Sequence, residues 1–364
     1  MIRVGVVGCG RIAQVMHLHF LEELPEFELV ALSDISPEVL DALAHRYPRV
    51  STYLDYRDLL ARDDVDAVAI CTPDHARIAE EAARAGKHVF VEKPLCVTPD
   101  EGRSLAAAVE ASGVRLMVGY MRRYDPAVCR LLAELPELAP VRIVRALDTL
   151  GLRSVPSDVY SLVLPPDGAS GRASDRNALA DKLSIAVGTD DPRRTSLYWM
   201  MLMLAVHDFA LLRALLGAPA GITGVELLGP RHLLASFAYD NGARATLELG
   251  VWPEQTWSDT TLDVVGDAAG ASVSFPNPWI RHLPSTLTQR RAHEDGTTLA
   301  MAPTSFASPF REEWREFHAA IVEGREPLTG VHDGLADVEL CAAVVDAVPD
   351  EQLDYAEVGA RAIR

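Results

Sequence analysis

The opening residues narrow the choice of fold most. An apolar run of strand length, Arg3 to Val7, stops at Gly8-Cys9-Gly10-Arg11-Ile12-Ala13 and gives way to a helical pattern. Gly8 permits a tight turn, Gly10 lets the backbone approach a ligand, and the small Ala13 lets helix and strand pack closely. The helix that starts here turns its positive end and its unpaired N–H groups towards that turn, which suits an anion.

The pattern then continues. Glu28 to Leu32, Ala67 to Ile70, His88 to Val91 and Arg115 to Val118 read as further buried strands, with helix-length segments such as Ala76 to Ala85 and Pro99 to Ala111 between them. Alternation of this kind implies parallel strands with crossover helices, hence a doubly wound α/β sheet. The second strand ends at Ser33-Asp34, 21 residues beyond Ala13, where a carboxylate can accept hydrogen bonds from an adenosine ribose. Loop and acid together point to a dinucleotide; the plainer reading makes the glycines a simple turn and Asp34 the cap of the next helix. Ile35, Ser36 and Pro37 offer no cation for a 2′-phosphate, so NAD is expected over NADP.

Composition removes other classes. The chain has 364 residues, room for two or three domains, and a net charge of −18 with no basic stripe, so nucleic acid is not an expected partner. Five cysteines lack any C-x-x-C or Cys/His ligand spacing, which argues against a disulfide framework or a bound metal and fits a reducing, cytoplasmic setting. The opening apolar run is too short for a signal peptide, and the most apolar stretch, Tyr198 to Val206, is too short to span a membrane. Three lysines stand against thirty-one arginines, so each lysine invites the question why arginine would not serve.

Several later motifs carry a family likeness. Thr72-Pro73 follows the Ala67 to Ile70 strand, Glu92-Lys93-Pro94-Leu95 the His88 to Val91 strand, and Gly119-Tyr120-Met121-Arg122-Arg123-Tyr124-Asp125-Pro126 closes the Arg115 to Val118 strand. With the glycine loop, and with His207-Asp208-Phe209-Ala210-Leu211-Leu212-Arg213 and the stretch Glu312 to Asp346 further on, these resemble the Gfo/Idh/MocA oxidoreductases, the glucose-fructose oxidoreductase and inositol dehydrogenase family. The likeness implies an NAD-binding Rossmann domain over 1–120. It implies a substrate-binding and oligomerising α+β domain over 121–364, an open, mostly antiparallel sheet with helices, whose final helices can pack back on the first domain. Runs at Val141 to Leu147, Ile222 to Leu228, His232 to Tyr239, Ala243 to Leu249 and Thr261 to Val265 agree, and Asp240-Asn241-Gly242 is a strong hairpin signal. The free face of that sheet is expected to join two or four copies.

The likeness also assigns residues. Gly8, Cys9, Gly10, Arg11, Ile12, Asp34, Thr72, Pro73, Glu92, Lys93 and Arg123 would hold the cofactor. Tyr120, Arg122, Met203, Asp208, Lys93 and His207 would meet the substrate. Lys93 would polarise a hydroxyl, and His207 would act as the base, as an imidazole titrating near neutrality can. Three positions depart from the family pattern. Met203 stands where many relatives carry an aspartate four residues before the histidine, so the usual pair on one helix face is absent; His207 is expected to work alone, the alternatives being help from Tyr160 or Tyr198 or an altered function. Arg77 replaces a histidine, and Ala210 an aspartate.

Arg153 to Arg194 reads as long loops with one helix from Arg176 to Ile185, either a cover for the site or a surface insertion. The implied reaction is hydride transfer between nicotinamide and a secondary alcohol or ketone of a sugar, sugar derivative or cyclitol. The alternatives are a redox-neutral enzyme that retains NAD while cleaving a glycoside, and a catalytically silent dinucleotide sensor.

Overall fold

The computed structural model describes residues 1–154, 159–165, 173–229, 231–303 and 305–355. Six strands, β1 (Ile2–Val7), β2 (Phe27–Ser33), β3 (Ser51–Tyr53), β4 (Ala67–Ile70), β5 (His88–Glu92) and β6 (Leu116–Gly119), form a parallel sheet in the order β3-β2-β1-β4-β5-β6. The strand order reverses between β1 and β4, the switch point where ligands of such sheets bind. β3 escapes the sequence reading because it is three residues long, half-exposed and at the edge.

The crossovers are α1 (Leu18–Glu23), α2 (Pro37–Arg46), α3 (Tyr56–Leu60), α4 (Ala76–Arg84) and α5 (Pro99–Ser112). Their ends follow from local chemistry. Ser36 caps α2 by accepting from Val39 N–H, with Pro37 in the first turn. Thr98 and Glu101 form a reciprocal capping box on α5, which stops at Gly113 in the left-handed region (φ 70°). Before α1, Ala13–His17 is wound as a π-helical turn, a local widening that resets the direction of the side chains beyond it.

The chain then forms α6 (Pro126–Ala133), α7 (Leu135–Leu138), β7 (Val141–Gly151), α8 (Ala173–Val187), α9 (Pro192–Met203) and α10 (Ala205–Leu216). Seven strands follow: β8 (Gly221–Gly229), β9 (His232–Ala238), β10 (Arg244–Trp252), β11 (Asp259–Gly266), β12 (Ala269–Phe275), β13 (Thr286–His293) and β14 (Gly296–Met301). Helices α11 (Pro309–Glu323) and α12 (Val331–Asp346) come last. The second sheet runs β14-β13-β12-β11-β7-β10-β9-β8 and is antiparallel except where β7 pairs with β10. The Asp240-Asn241-Gly242 hairpin forms as expected: Gly242 has φ 85°, and Asn241 Oδ1 accepts from Ala243 N–H at 3.0 Å. β12 to β14 are the strands that the apolar pattern does not reveal, since five of the seven residues of β12 are Ala, Gly or Ser and all of β14 is exposed.

Two compact units result. The first comprises Met1–Tyr120, Ser157–Ala186 and Glu313–Glu339; the second comprises Met121–Pro156, Val187–Glu312 and Leu340–Arg364. In the first, Trp314 of α11 stacks on Phe90 of β5, centroids 4.5 Å apart and rings 13° from parallel, while Phe317 meets Phe90 edge-on. Thr329 exchanges hydrogen bonds with Val118, covering the open edge of β6. In the second unit α10 packs on β7 and β10, burying Phe209 against Phe237.

Among the described residues no single helix is long and apolar enough to cross a membrane; α9 and α10 reach that length only jointly, across a 56° bend. Of the expected 153–194 loops, residues 155–158 and 166–172 lie outside the described residues. Two helices occupy much of the rest, α8 and the start of α9, the latter capped by Asp191 with Pro192 in its first turn.

Candidate active site

In the first unit the glycine loop is a built cradle. Gly8 has φ 88°, and a Cβ there would lie 2.9 Å from Cys71 C and Thr72 N, so only glycine fits. At Gly10 an added Cβ would meet nothing within 4 Å, which leaves the backbone open where a pyrophosphate would approach. Asp34 does not cap α2, since Ser36 does; its Oδ2 instead accepts Cys9 N–H at 2.7 Å and its Oδ1 accepts Ser36 N–H at 2.9 Å. The acid at the end of β2 is thus tied directly to the loop. Arg11 and Ile12 form the first helical turn, and Thr72 and Pro73 follow β4 against Gly8.

Beside the loop, β5 ends in a buried polar cluster. Glu92 is 6% exposed; its Oε1 meets His17 Nε2 at 2.7 Å, and its Oε2 accepts the Lys93 backbone N–H at 3.1 Å. Trp314 donates its indole N–H to His17 Nδ1 at 3.2 Å. Burial opposes the charge on Glu92, but the hydrogen bond and proximity of His17 prevail and hold its carboxyl below the ordinary range.

Glu313 has no solvent exposure, and neither of its carboxyl oxygens has a hydrogen-bond partner among the described residues. Burial, reinforced by Glu92, pushes its pKa well up, so it keeps its proton. His75, buried near Glu92 and the Lys93 backbone, is pushed down to about 4 by burial and is neutral at pH 7.

Lys87 donates to the carbonyls of Arg62 and Val65, and Lys182 of α8 bridges Asp74 and Glu101 at 2.5 Å each. Lys93 stands half-buried after the cluster, joined to Pro94 by a cis peptide. Lys182 also shows that α8 is fastened to this unit. A second fastening is Gln14, which donates to Cys9 O and Val163 O and accepts Val163 N–H, laying Val163 beside the glycine loop.

The second unit holds Arg122, Arg123, Met203, His207 and Asp208, while Tyr120 is fully buried at the end of the first unit's chain segment. Arg122 is buried, not a surface pairing partner. Its Nη1 lies 2.8 Å from Asp148 Oδ2 and 3.4 Å from Asp208 Oδ1, and its guanidinium lies over Phe275. Thr260 donates to the other Asp148 oxygen at 3.0 Å. Burial and the nearby Asp148 push the Asp208 carboxyl well above the usual range. Arg123 is half-buried outside this cluster.

The single helix expected around His207 is two helices. Leu204 leaves helical geometry (φ −120°, ψ −60°), and the chain resumes with His207 N–H donating to Leu204 O at 3.1 Å. Met203 therefore ends α9 and His207 lies in the first turn of α10, so the shared-face argument for these two positions does not hold. Arg77, the second departure, is an exposed residue of α4 reaching Glu81.

The sequence reading missed His17, His75, Asp148, Glu313 and Trp314. A buried histidine five residues into the first helical pattern was visible, but the π-turn that aims it was not. Asp148 lay one residue beyond the expected end of β7, and Trp314 meets His17 across 297 positions.

Residues 2–120 match the profile of an oxidoreductase family described by its NAD-binding Rossmann fold. The uncharacterized oxidoreductase YrbE of Bacillus subtilis (strain 168) is 40% identical over 124 residues, 34% of this chain and 36% of that relative. The alignment thus spans little more than a third of that relative's length. Inositol 2-dehydrogenase 3 of Saccharopolyspora erythraea is 27% identical over 97% of this chain and 94% of its own. Among solved structures, KijD10, a 3-ketoreductase from Actinomadura kijaniata in complex with NADP and TDP-benzene, superposes with a TM-score of 0.69 at 24% identity, covering 95% of this chain and 96% of that one.

Proposed function

We propose, from the match of residues 2–120 to the Gfo/Idh/MocA oxidoreductase family, that the chain moves a hydride between a nicotinamide cofactor and a secondary alcohol or ketone of a sugar, sugar derivative or cyclitol. The observation that carries the reading is the end of β5. Lys93, whose backbone N–H is held by the buried, ionised Glu92, follows that strand in the unit that bears the glycine loop.

The cradle suits a dinucleotide. Open space at Gly10 admits the pyrophosphate, and the helix N-terminus at Arg11 favours its charge. Asp34 has two carboxylate oxygens, each with a lone pair left for a ribose hydroxyl after binding Cys9 and Ser36. A carboxylate there also repels a 2′-phosphate, which favours NAD over NADP. Bound nicotinamide supplies a hydride acceptor or donor at C4.

Lys93 donates a hydrogen bond to the substrate oxygen and stabilises its developing negative charge. His207 takes the hydroxyl proton and returns it in the reverse direction. The inositol dehydrogenase named above supports the substrate class, a polyhydroxylated ring. A second reading, in which NAD stays bound through a redox-neutral cycle on a glycoside, uses the same cradle.

The test is NADH formation by purified protein over a panel of sugars, glycosides and cyclitols, with NAD and NADP titrated directly. Reduction of NAD by any of them supports the dehydrogenase. Tight NAD binding and substrate turnover without NADH select the second reading. Binding without turnover of any compound would leave a dinucleotide sensor.

A further inference from the structure

The polar cluster under the Glu92–Lys93 turn is more elaborate than packing demands. Burying an imidazole, a carboxylate and a second carboxyl together is costly unless each is answered by a partner. Trp314 can only donate, so at 3.2 Å it fixes His17 Nδ1 as the acceptor. The one proton of the neutral ring then sits on Nε2, 2.7 Å from Glu92 Oε1. Glu92 must accept from it, which leaves Oε2 for the Lys93 backbone N–H. The π-turn over Ala13–His17 aims the ring at β5, and Trp314 is itself held by its stack on Phe90.

We propose that His17 and Trp314 are positioning residues for the reaction. Trp314 sets the His17 tautomer, His17 holds Glu92 as a carboxylate acceptor, and Glu92 fixes the Lys93 backbone, so that the ammonium is presented in one place. The inference rests on the reading of Lys93 as the group that meets the hydroxyl. Glu313 completes the cluster. As a neutral acid beside Glu92 it adds no second negative charge, so the single carboxylate charge stays on the residue that touches Lys93.

Two variants separate positioning from packing. His17→Gln places an N–H donor near the Nε2 position, whereas His17→Leu fills the space without a donor. Loss of the donor raises the Glu92 pKa. The His17→Leu enzyme is expected to lose about tenfold to a hundredfold in kcat, with NAD affinity within about threefold of wild type. The Glu92 carboxyl, followed by ¹³C NMR, is expected to titrate about one pH unit or more higher than in wild type. His17→Gln should recover most of kcat and the original titration.

A second readout, independent of turnover, uses cofactor-free protein labelled with ¹⁵N-histidine. At pH 8 His17 should be the Nε2–H tautomer in wild type, and Trp314→Phe, which keeps a ring on Phe90, should release Nδ1 to exchange its proton state. A wild-type His17 with its proton on Nδ1 overturns the proposal even if His17→Leu does not fold. So does a Glu92 titration in His17→Leu that matches wild type, or a Gln variant no better than Leu. Lys93→Ala with full kcat would instead remove the underlying reading of Lys93, and the ¹⁵N result would still judge the Trp314–His17–Glu92 array.

Discussion

Arg122 Nη1 lies 2.8 Å from Asp148 Oδ2, and both side chains are buried, with Asp208 Oδ1 3.4 Å from the same nitrogen. A buried pair of this kind adds little net stability but fails expensively when one partner is removed, because the other charge is stranded. Asp148→Ala should therefore cost about 3–5 kcal/mol in urea unfolding. A loss below about 1 kcal/mol, the scale of an exposed pair, would show that Arg122 finds water or another acceptor.

Gly8 and Gly10 should part company. Gly8→Ala forces a Cβ to 2.9 Å from Cys71 and Thr72 with φ positive, and should destabilise the protein and weaken NAD binding together. Gly10→Ala meets nothing in the protein, so thermal unfolding should be unchanged while NAD binding, followed by titration, falls at least tenfold, about 1.4 kcal/mol. Equal NAD affinity in Gly10→Ala and wild type would mean that no phosphate approaches this backbone.

Asp34 joins specificity to loop shape. Asp34→Ser removes the like charge opposing a 2′-phosphate but keeps a short acceptor for Cys9 N–H, so the NADP/NAD affinity ratio should rise about tenfold or more. An unchanged ratio would place cofactor choice elsewhere.

His75 makes stability depend on pH with a definite sign. Its folded pKa is about 4 against an ordinary 6.5, so between these values the unfolded chain binds a proton that the folded chain refuses. Stability from His75 is full above about pH 6.5 and is lost as the pH falls towards about 4, with a ceiling of roughly 3 kcal/mol. Glu313 acts in the opposite sense, its contribution being full below 4.5 and declining as the pH rises above it. Net curves for wild type therefore mislead; the difference between wild type and His75→Gln isolates the term. That difference should shift against wild type as the pH drops from 6.5 to 4, and a flat difference would show His75 to be ordinarily solvated.

Much of the fold was legible because its signals are local. β4 runs from Ala67 to Ile70 as the apolar run predicts, and Gly242 turns the hairpin where Asp-Asn-Gly announces it. Edge and polar strands were not legible, since β3 and β14 bury too little to leave a period-two pattern. The site divides in the same way. The glycine loop, Asp34 and Glu92-Lys93 are contiguous motifs and stand together in the first unit. Asp148 and Trp314 matter only through contacts that the chain makes after folding, with Arg122 and His17 respectively, and no spacing rule anticipates them. The break at Leu204 is another such case: an unbroken apolar run, read as one helix, bends without a proline or glycine to mark it.

If Lys93 meets the reacting oxygen, comparison of Lys93→Ala with wild type reads its contribution in kcat for NADH formation on the best substrate of the panel, together with the Kd for NAD. The expected kcat is lower by on the order of a hundredfold or more, with the Kd changed by no more than about threefold. A Lys93→Ala enzyme that keeps wild-type kcat would contradict that reading of Lys93.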